Sequence, residues 1–200
     1  MLKLKMAHGN LVVREDYMSK LNSICVYCGS SNRADPRYIQ LATDMGQEMA
    51  QRGIRLVYGG GNVGLMGASS RAAHAAGGVV LGIMPHFLTK WEQPNPAFET
   101  RMVETMHERK WGLFAESDAF IVLPGGIGTL EEVVETLSWR RLELHTKPVV
   151  FVDRAFWQPF VDLIEATIDA NFTPAEFRQS FFCVDTPVEA LDALEQVFTS

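Results

Sequence analysis

The feature that most limits what this chain can fold into is a repeated alternation of short apolar runs with longer segments of helical period. Ile24–Cys28, Arg55–Tyr58, Val79–Met84, Ala119–Leu123 and Pro148–Val152 read as strands. Runs this apolar fit strands covered on both faces. Between them, Asp35-Pro36 supplies an N-cap and a first-turn proline to a helix carrying Ile39, Ala42, Met45 and Met49 on one stripe and ending at Gly53. Further helical segments are Ala68–Ala76, closed by Gly77-Gly78; Met106–Glu116; a segment with Leu130, Val133, Val134 and Leu137 on one face; Phe160–Ile168; and Val188–Phe198. The longest irregular stretch runs from Pro85 to about Thr100 and holds Trp91, Pro94 and Pro96. Loops of that length in a compact domain are usually functional. The pattern predicts an α/β fold, a Rossmann-like three-layer α/β/α sandwich on a mostly parallel sheet. In such a sheet ligands bind at the carboxyl ends of the strands. The 200 residues are enough for one domain. Residues 23–200 are assigned to it, and residues 1–22, of mixed charge and no period, to an N-terminal arm.

Charge and cysteine usage exclude several classes. A net charge of −6 opposes a general nucleic-acid binder, which needs a basic face. No run approaches the ~18 apolar residues of a membrane span. The start, Met1-Leu2-Lys3-Leu4-Lys5-Met6, lacks the apolar stretch of a secretory signal, so the expected location is cytoplasmic. Cys25 and Cys28 match C-x-x-C, but they sit on a strand, where residues three apart face opposite sides. Redox pairs open a helix instead, so structural thiols are expected. The five histidines show no ligand spacing with the three cysteines, and no metal is expected.

Two glycine-rich segments, Gly59–Gly67 and Pro124–Thr129, follow strands and open helices. Glycines there let backbone N–H groups approach a ligand closely, and a helix amino end favours an anion, so phosphate is the natural guest. Gly59-x-Gly61-x-x-Gly64 satisfies the dinucleotide fingerprint formally. It follows the second strand, however, and Met84, Pro85 and His86 stand where an acidic ribose ligand should be. No G-x-x-x-x-G-K-[ST] is present. These absences point to a mononucleotide. Near the loops lie Arg109, Lys110, Glu131 and Glu132, with Glu92 in the long loop. Each has a plainer alternative: Thr129-x-x-Glu132 forms a capping box on paper, Arg109 could be a solvated surface arginine, and Glu92 an exposed acid.

Three blocks in order, Gly59-Gly60-Gly61-Asn62-Val63-Gly64-Leu65-Met66-Gly67, Met106-His107-Glu108-Arg109-Lys110 and Pro124-Gly125-Gly126-Ile127-Gly128-Thr129-Leu130-Glu131-Glu132, resemble the Lonely Guy family. Its members are cytokinin riboside 5′-monophosphate phosphoribohydrolases, formerly labelled lysine decarboxylases. The resemblance spans about Ile24 to Phe198. It implies hydrolysis of the N-glycosidic bond of an N6-substituted AMP to free base and ribose 5-phosphate, with no cofactor and a homodimeric assembly. It also implies Arg109 and Glu132 as the catalytic pair. Substrate contacts would come from Glu92, Lys110, Gly125, Gly126, Ile127, Gly128, Thr129 and Glu131, with Gly60 and Gly61 in the first glycine loop. The chain departs from the family at Ile127, where an aromatic is usual, and at Trp139-Arg140-Arg141-Leu142-Glu143-Leu144-His145, where Trp-x-Gln-Leu-Gly-x-His is common. Two other readings stay open at this stage. Lysine decarboxylation would need a pyridoxal-phosphate lysine, for which Lys90, Lys110 and Lys147 offer no recognisable setting. A non-catalytic nucleotide-binding module would bind AMP without releasing adenine.

Overall fold

A computed structural model describes residues 20–199. Most of the assigned arm, residues 1–19, lies outside them. The strands are β1 (Ser23–Tyr27), β2 (Arg55–Tyr58), β3 (Val80–Pro85), β4 (Glu99–Val103), β5 (Ala119–Val122), β6 (Val149–Val152) and β7 (Phe182–Val184). The helices are α1 (Pro36–Gln51), α2 (Gly64–Ala75), α3 (Met106–Ala115), α4 (Ile127–Arg141), α5 (Arg154–Asp169) and α6 (Pro187–Thr199). The strands form a seven-stranded sheet in the order β4-β3-β2-β1-β5-β6-β7. Every pairing is parallel.

Period-two alternation splits the apolar strands between two cores. Ile24, Val26, Leu56, Ile121 and Val150 face the layer of α1, α2 and α6. Cys25, Tyr27, Val57, Phe120, Val122 and Phe151 face Leu113 of α3, Val133 and Leu137 of α4, and Trp157 of α5. Cys25 and Cys28 thus lie in opposite cores, as free buried thiols. The Asp35-Pro36 start is realised: the Asp35 carboxylate accepts from Arg37 N at 2.9 Å.

Several expectations need correction. The stretch from Pro85 to Thr100 is not wholly irregular, since His86–Lys90 is a 3-10 turn and β4 begins at Glu99. Both β4 and β7 escape the apolar-run criterion because they are edge strands that carry exposed and half-buried residues. Helix α5 begins at Arg154 rather than Phe160, capped by the Asp153 side chain with Pro159 inside it. Helix α2 starts at Gly64, and Val134 of α4 is half exposed rather than facing the core.

The order in which strands are added reverses at the centre of the sheet: β1 is flanked by β2 on one side and β5 on the other. The loops leaving β1 and β5 diverge there, making the crevice in which an open α/β sheet holds its ligand.

Candidate active site

That crevice holds a cleft of about 370 Å³. One wall is the turn after β1, Cys28 to Ser31, and another is Gly126 to Thr129 at the start of α4. Met66 of α2, with Leu88 and Glu92 beyond β3, forms the side opposite, and Arg109 and Glu132 line the interior.

Arg109 is 93% shielded from solvent, and each guanidinium nitrogen has a partner. Nε donates to the Ile83 carbonyl at 3.3 Å, Nη2 to the Gly59 carbonyl at 3.3 Å and Nη1 to Glu132 Oε1 at 3.0 Å. A solvated surface arginine is therefore excluded. Gly59 permits this seat, because a Cβ there would lie 2.0 Å from Nη2. Burial raises the proton affinity of Glu132, and Glu131 adds to the rise, while Arg109 and Lys110 oppose it. A buried carboxylate of raised pKa beside one fixed cation is the usual preparation of a general base.

The capping-box alternative for Glu132 fails. Helix α4 begins at Ile127 with Gly126 as its N-cap and no side-chain cap, so Thr129 lies inside the helix and Glu132 in its second turn. A related reciprocal cap is found on α3, where Thr105 Oγ1 accepts from Glu108 N and the Glu108 carboxylate accepts from Glu104 N, one residue before the N-cap. Glu132 is held from behind by Thr136, whose hydroxyl donates to the Glu132 carbonyl at 3.0 Å and meets the Tyr27 hydroxyl at 3.1 Å. Buried His145 braces the same turn. Its Nδ1 accepts from Lys147 N, so Nε2–H donates to the Thr136 carbonyl at 2.9 Å.

The two glycine loops differ in what they offer. At α4, a Cβ on Gly126 or Gly128 would meet nothing within 4 Å. Among the described residues no acceptor meets the N–H groups of Ile127, Gly128 and Thr129, and all three residues line the cleft. At α2 the corresponding donors are occupied: Leu65 N and Met66 N reach the Gly29 carbonyl, and Gly64 N reaches Asn32 Oδ1 at 3.0 Å. Of the two glycine loops read as suited to a single phosphate, the one at α4 is thus the one whose first donors are left without an acceptor among the described residues.

Gly60 and Gly61, expected as substrate contacts, stand behind the cleft wall. A Cβ on Gly60 would press Met84, and one on Gly61 would lie 2.4 Å from Glu92 Oε2. Gly61 thus makes room for the Glu92 carboxylate, which does line the cleft. Gly125 packs on Thr129 and Gly29. Ile127 is 83% exposed at the mouth. The Lys110 amine lies between Glu131 and Glu135 rather than in the cleft. Sequence reasoning missed the Gly29-Ser30-Ser31 turn, Met66 and Leu88 as cleft residues. The available signal was the place of that turn at the carboxyl end of the central strand. Among the described residues no group of His, Cys, Asp and Glu is arranged to hold a metal ion, and no helix is long and apolar enough to cross a membrane.

A Rossmann-like sheet with an open helix amino end facing a buried Arg–Glu pair defines a nucleotide-cleft protein of the α/β class. Comparison with known proteins narrows the class. A family described as "Possible lysine decarboxylase" matches residues 66–194. Cytokinin riboside 5′-monophosphate phosphoribohydrolase LOG of Oryza sativa subsp. japonica is 41% identical over 180 residues, 89% of this chain and 74% of that one. Cytokinin riboside 5′-monophosphate phosphoribohydrolase LOG5 of Arabidopsis thaliana is 40% identical, covering 88% of this chain and 78% of that one. Among solved structures, the molybdenum cofactor binding protein of Rippkaea orientalis superposes with a TM-score of 0.68 at 26% identity, over 90% of this chain and 98% of that one. The chain belongs to the Lonely Guy family.

Proposed function

We propose that this protein is a phosphoribohydrolase that cleaves the N-glycosidic bond of AMP bearing an N6 substituent, giving the free base and ribose 5-phosphate. The observation that carries the reading is the Arg109–Glu132 pair, buried in the same cleft as the uncapped start of α4. The relatives named phosphoribohydrolases support it.

In this reading the 5′-phosphate lies on the N–H groups of Ile127, Gly128 and Thr129, favoured by the helix dipole and approached closely because Gly126 and Gly128 carry no side chain. Phosphate binding then holds C1′ near Glu132, converting binding energy into position. As the C1′–N9 bond breaks, its electron pair leaves with the purine and positive charge develops on the sugar, as in other glycoside cleavages. The Glu132 carboxylate stabilises that charge and takes a proton from the water whose oxygen bonds to C1′, and the departing purine gains one proton in exchange with solvent, so that neutral base is released and the carboxylate is restored. Arg109, held on two carbonyls, keeps the carboxylate aimed and ionised. Met66 and Leu88 give the cleft an apolar side for a substituted base. No cofactor enters this scheme. Nor does any described lysine line the cleft for pyridoxal chemistry: Lys147 donates to the Phe114 carbonyl, and Lys110 is taken by two carboxylates.

The same reading includes a homodimer in the cytoplasm. Trp111 and Val134 are each about half exposed on α3 and α4, apolar area of the kind a second copy covers. A net charge of −6 favours a free nucleotide over a nucleic acid as the partner. The test is incubation with AMP, isopentenyl-AMP and adenosine, followed by chromatography of the free base. Base should be released from the monophosphates, with kcat/KM for adenosine lower by roughly 10², the worth of a few charge-assisted hydrogen bonds. AMP binding without release of base would establish the binding-module reading instead.

A further inference from the structure

The first glycine loop, whose donors are spent inside the protein, has a second use through its one polar side chain. Asn62 stands between Gly61 and Val63 and is held at two points by Arg71 of α2. Arg71 Nη1 donates to the Asn62 carbonyl at 2.8 Å and to Asn62 Oδ1 at 2.7 Å. The approach is open because Gly67 carries no side chain: a Cβ there would lie 2.6 Å from that nitrogen. Asn62 Oδ1 also accepts from Asn95 Nδ2 at 3.3 Å, on the connection between β3 and β4.

Asn95 is a pre-set donor. Pro94 and Pro96 flank it, which fixes φ on both sides and confines Gln93 and Asn95 to extended backbone. Its own Oδ1 accepts from Ala97 N at 2.9 Å, which leaves Nδ2 for Asn62. Three residues earlier, Glu92 N donates to the Leu88 carbonyl at 2.9 Å, and the Glu92 carboxylate lies against Gly61 in the cleft. Glu92 is therefore bounded by the His86–Lys90 turn on one side and by the Asn95–Asn62 bond on the other.

We propose that Asn62, clamped by Arg71 and bonded to Asn95, is a positioning residue for Glu92: it ties the β3–β4 connection to α2 so that the Glu92 carboxylate stays against Gly61, on the side of the cleft opposite the amino end of α4. A carboxylate only accepts hydrogen bonds, so what Glu92 takes from a nucleotide is a hydroxyl or an amino hydrogen. Without the tie, that carboxylate has more freedom to lose when the nucleotide binds. The effect on turnover rests on the phosphoribohydrolase reading. The effect on AMP binding does not.

The test uses the full chain. AMP affinity is measured by calorimetric titration in the Glu132→Gln background, where turnover is slow, and base release is measured with Glu132 intact. Asn95→Asp is nearly isosteric: it keeps the acceptor for Ala97 N but takes the donor away from Asn62. AMP affinity should fall about threefold to tenfold, the worth of one hydrogen bond, with KM raised alike and kcat within about twofold of the parent. Asn62→Ala, which breaks the same tie from the other end, should give the same loss. Should it not fold, Asn95→Asp carries the test, since it alters only a half-buried loop position. Once Glu92→Ala has removed the carboxylate, Asn95→Asp should have no further effect, because a positioning residue acts only through the group it positions. Losses that add in the double variant, or an unchanged AMP affinity with or without a lower melting temperature, would overturn the proposal. Absence of AMP binding to the parent would overturn it together with the reading of the cleft. If the parent binds AMP but releases no base, the phosphoribohydrolase reading falls, while calorimetry still decides the role of Asn62.

Discussion

Helices α2 and α4 both begin at glycine-rich loops that leave parallel strands, yet their amino ends are used in opposite ways. At α2 the protein fills its own glycines. A Cβ on Gly64 would lie 2.5 Å from the Ser30 carbonyl carbon, and one on Gly67 would lie 2.3 Å from the Asn62 carbonyl oxygen. The first N–H groups of that helix are consumed by Gly29 and Asn32. At α4, Gly126 and Gly128 border empty space, and the first residues line the cleft with their N–H groups unpaired among the described residues. Glycine at α2 is demanded by packing, and at Gly64 also by a φ of +58°. Glycine at α4 has no reason inside the protein, which is what a residue kept small for a ligand looks like. Similar loop sequences therefore build a scaffold in one case and a binding surface in the other.

The comparison is broken most sharply at Glu132, the acidic group that faces the open end. Glu132→Gln keeps the shape and an acceptor for Arg109 Nη1 but cannot act as a base. Turnover should fall by roughly 10²–10⁴, the worth of a positioned acid–base group, while AMP still binds and the melting temperature changes little. The raised pKa of Glu132 fixes the sign of the pH profile. Activity should be lost as pH falls through a limb lying above the ordinary glutamate range, and that limb should be absent from the residual activity of the glutamine variant.

A smaller contrast comes from adding one methyl group at each loop. Gly64→Ala should cost about 1–3 kcal/mol of stability, because the added carbon strikes backbone at positive φ. Gly128→Ala should stabilise by about 0.4–1 kcal/mol, since alanine narrows the unfolded ensemble and meets no obstacle. It should also weaken ribose 5-phosphate binding about tenfold, or ~1.4 kcal/mol. Thermal melts and calorimetric titration of both variants check the opposite signs.

The strands of the sheet centre were legible because their apolar runs are long enough to leave no other place for them. The edge strands β4 and β7 were not, since Glu99, Arg101 and Phe182 stay exposed to water and break the apolar run. Helix α5 was read short because the stretch from Arg154 precedes Pro159, and a proline near a helix start resembles its first turn. Arg109 and Glu132 could be nominated from motif and chemistry. Their pairing at 3.0 Å could not, because it depends on Gly59 and Ile83, far apart in sequence, both presenting carbonyls to one guanidinium. The same long-range dependence hid the closure of α2: its capping atoms come from Gly29 and Asn32, in the turn after β1.

The assignment of the phosphate to α4 is tested most directly by following backbone amides in ¹⁵N-labelled protein as ribose 5-phosphate is added. Saturable shifts concentrated on Ile127, Gly128 and Thr129, with Leu65 and Met66 unmoved, are the expected result. Shifts centred on Leu65 and Met66, or none near α4 at saturation, would contradict it.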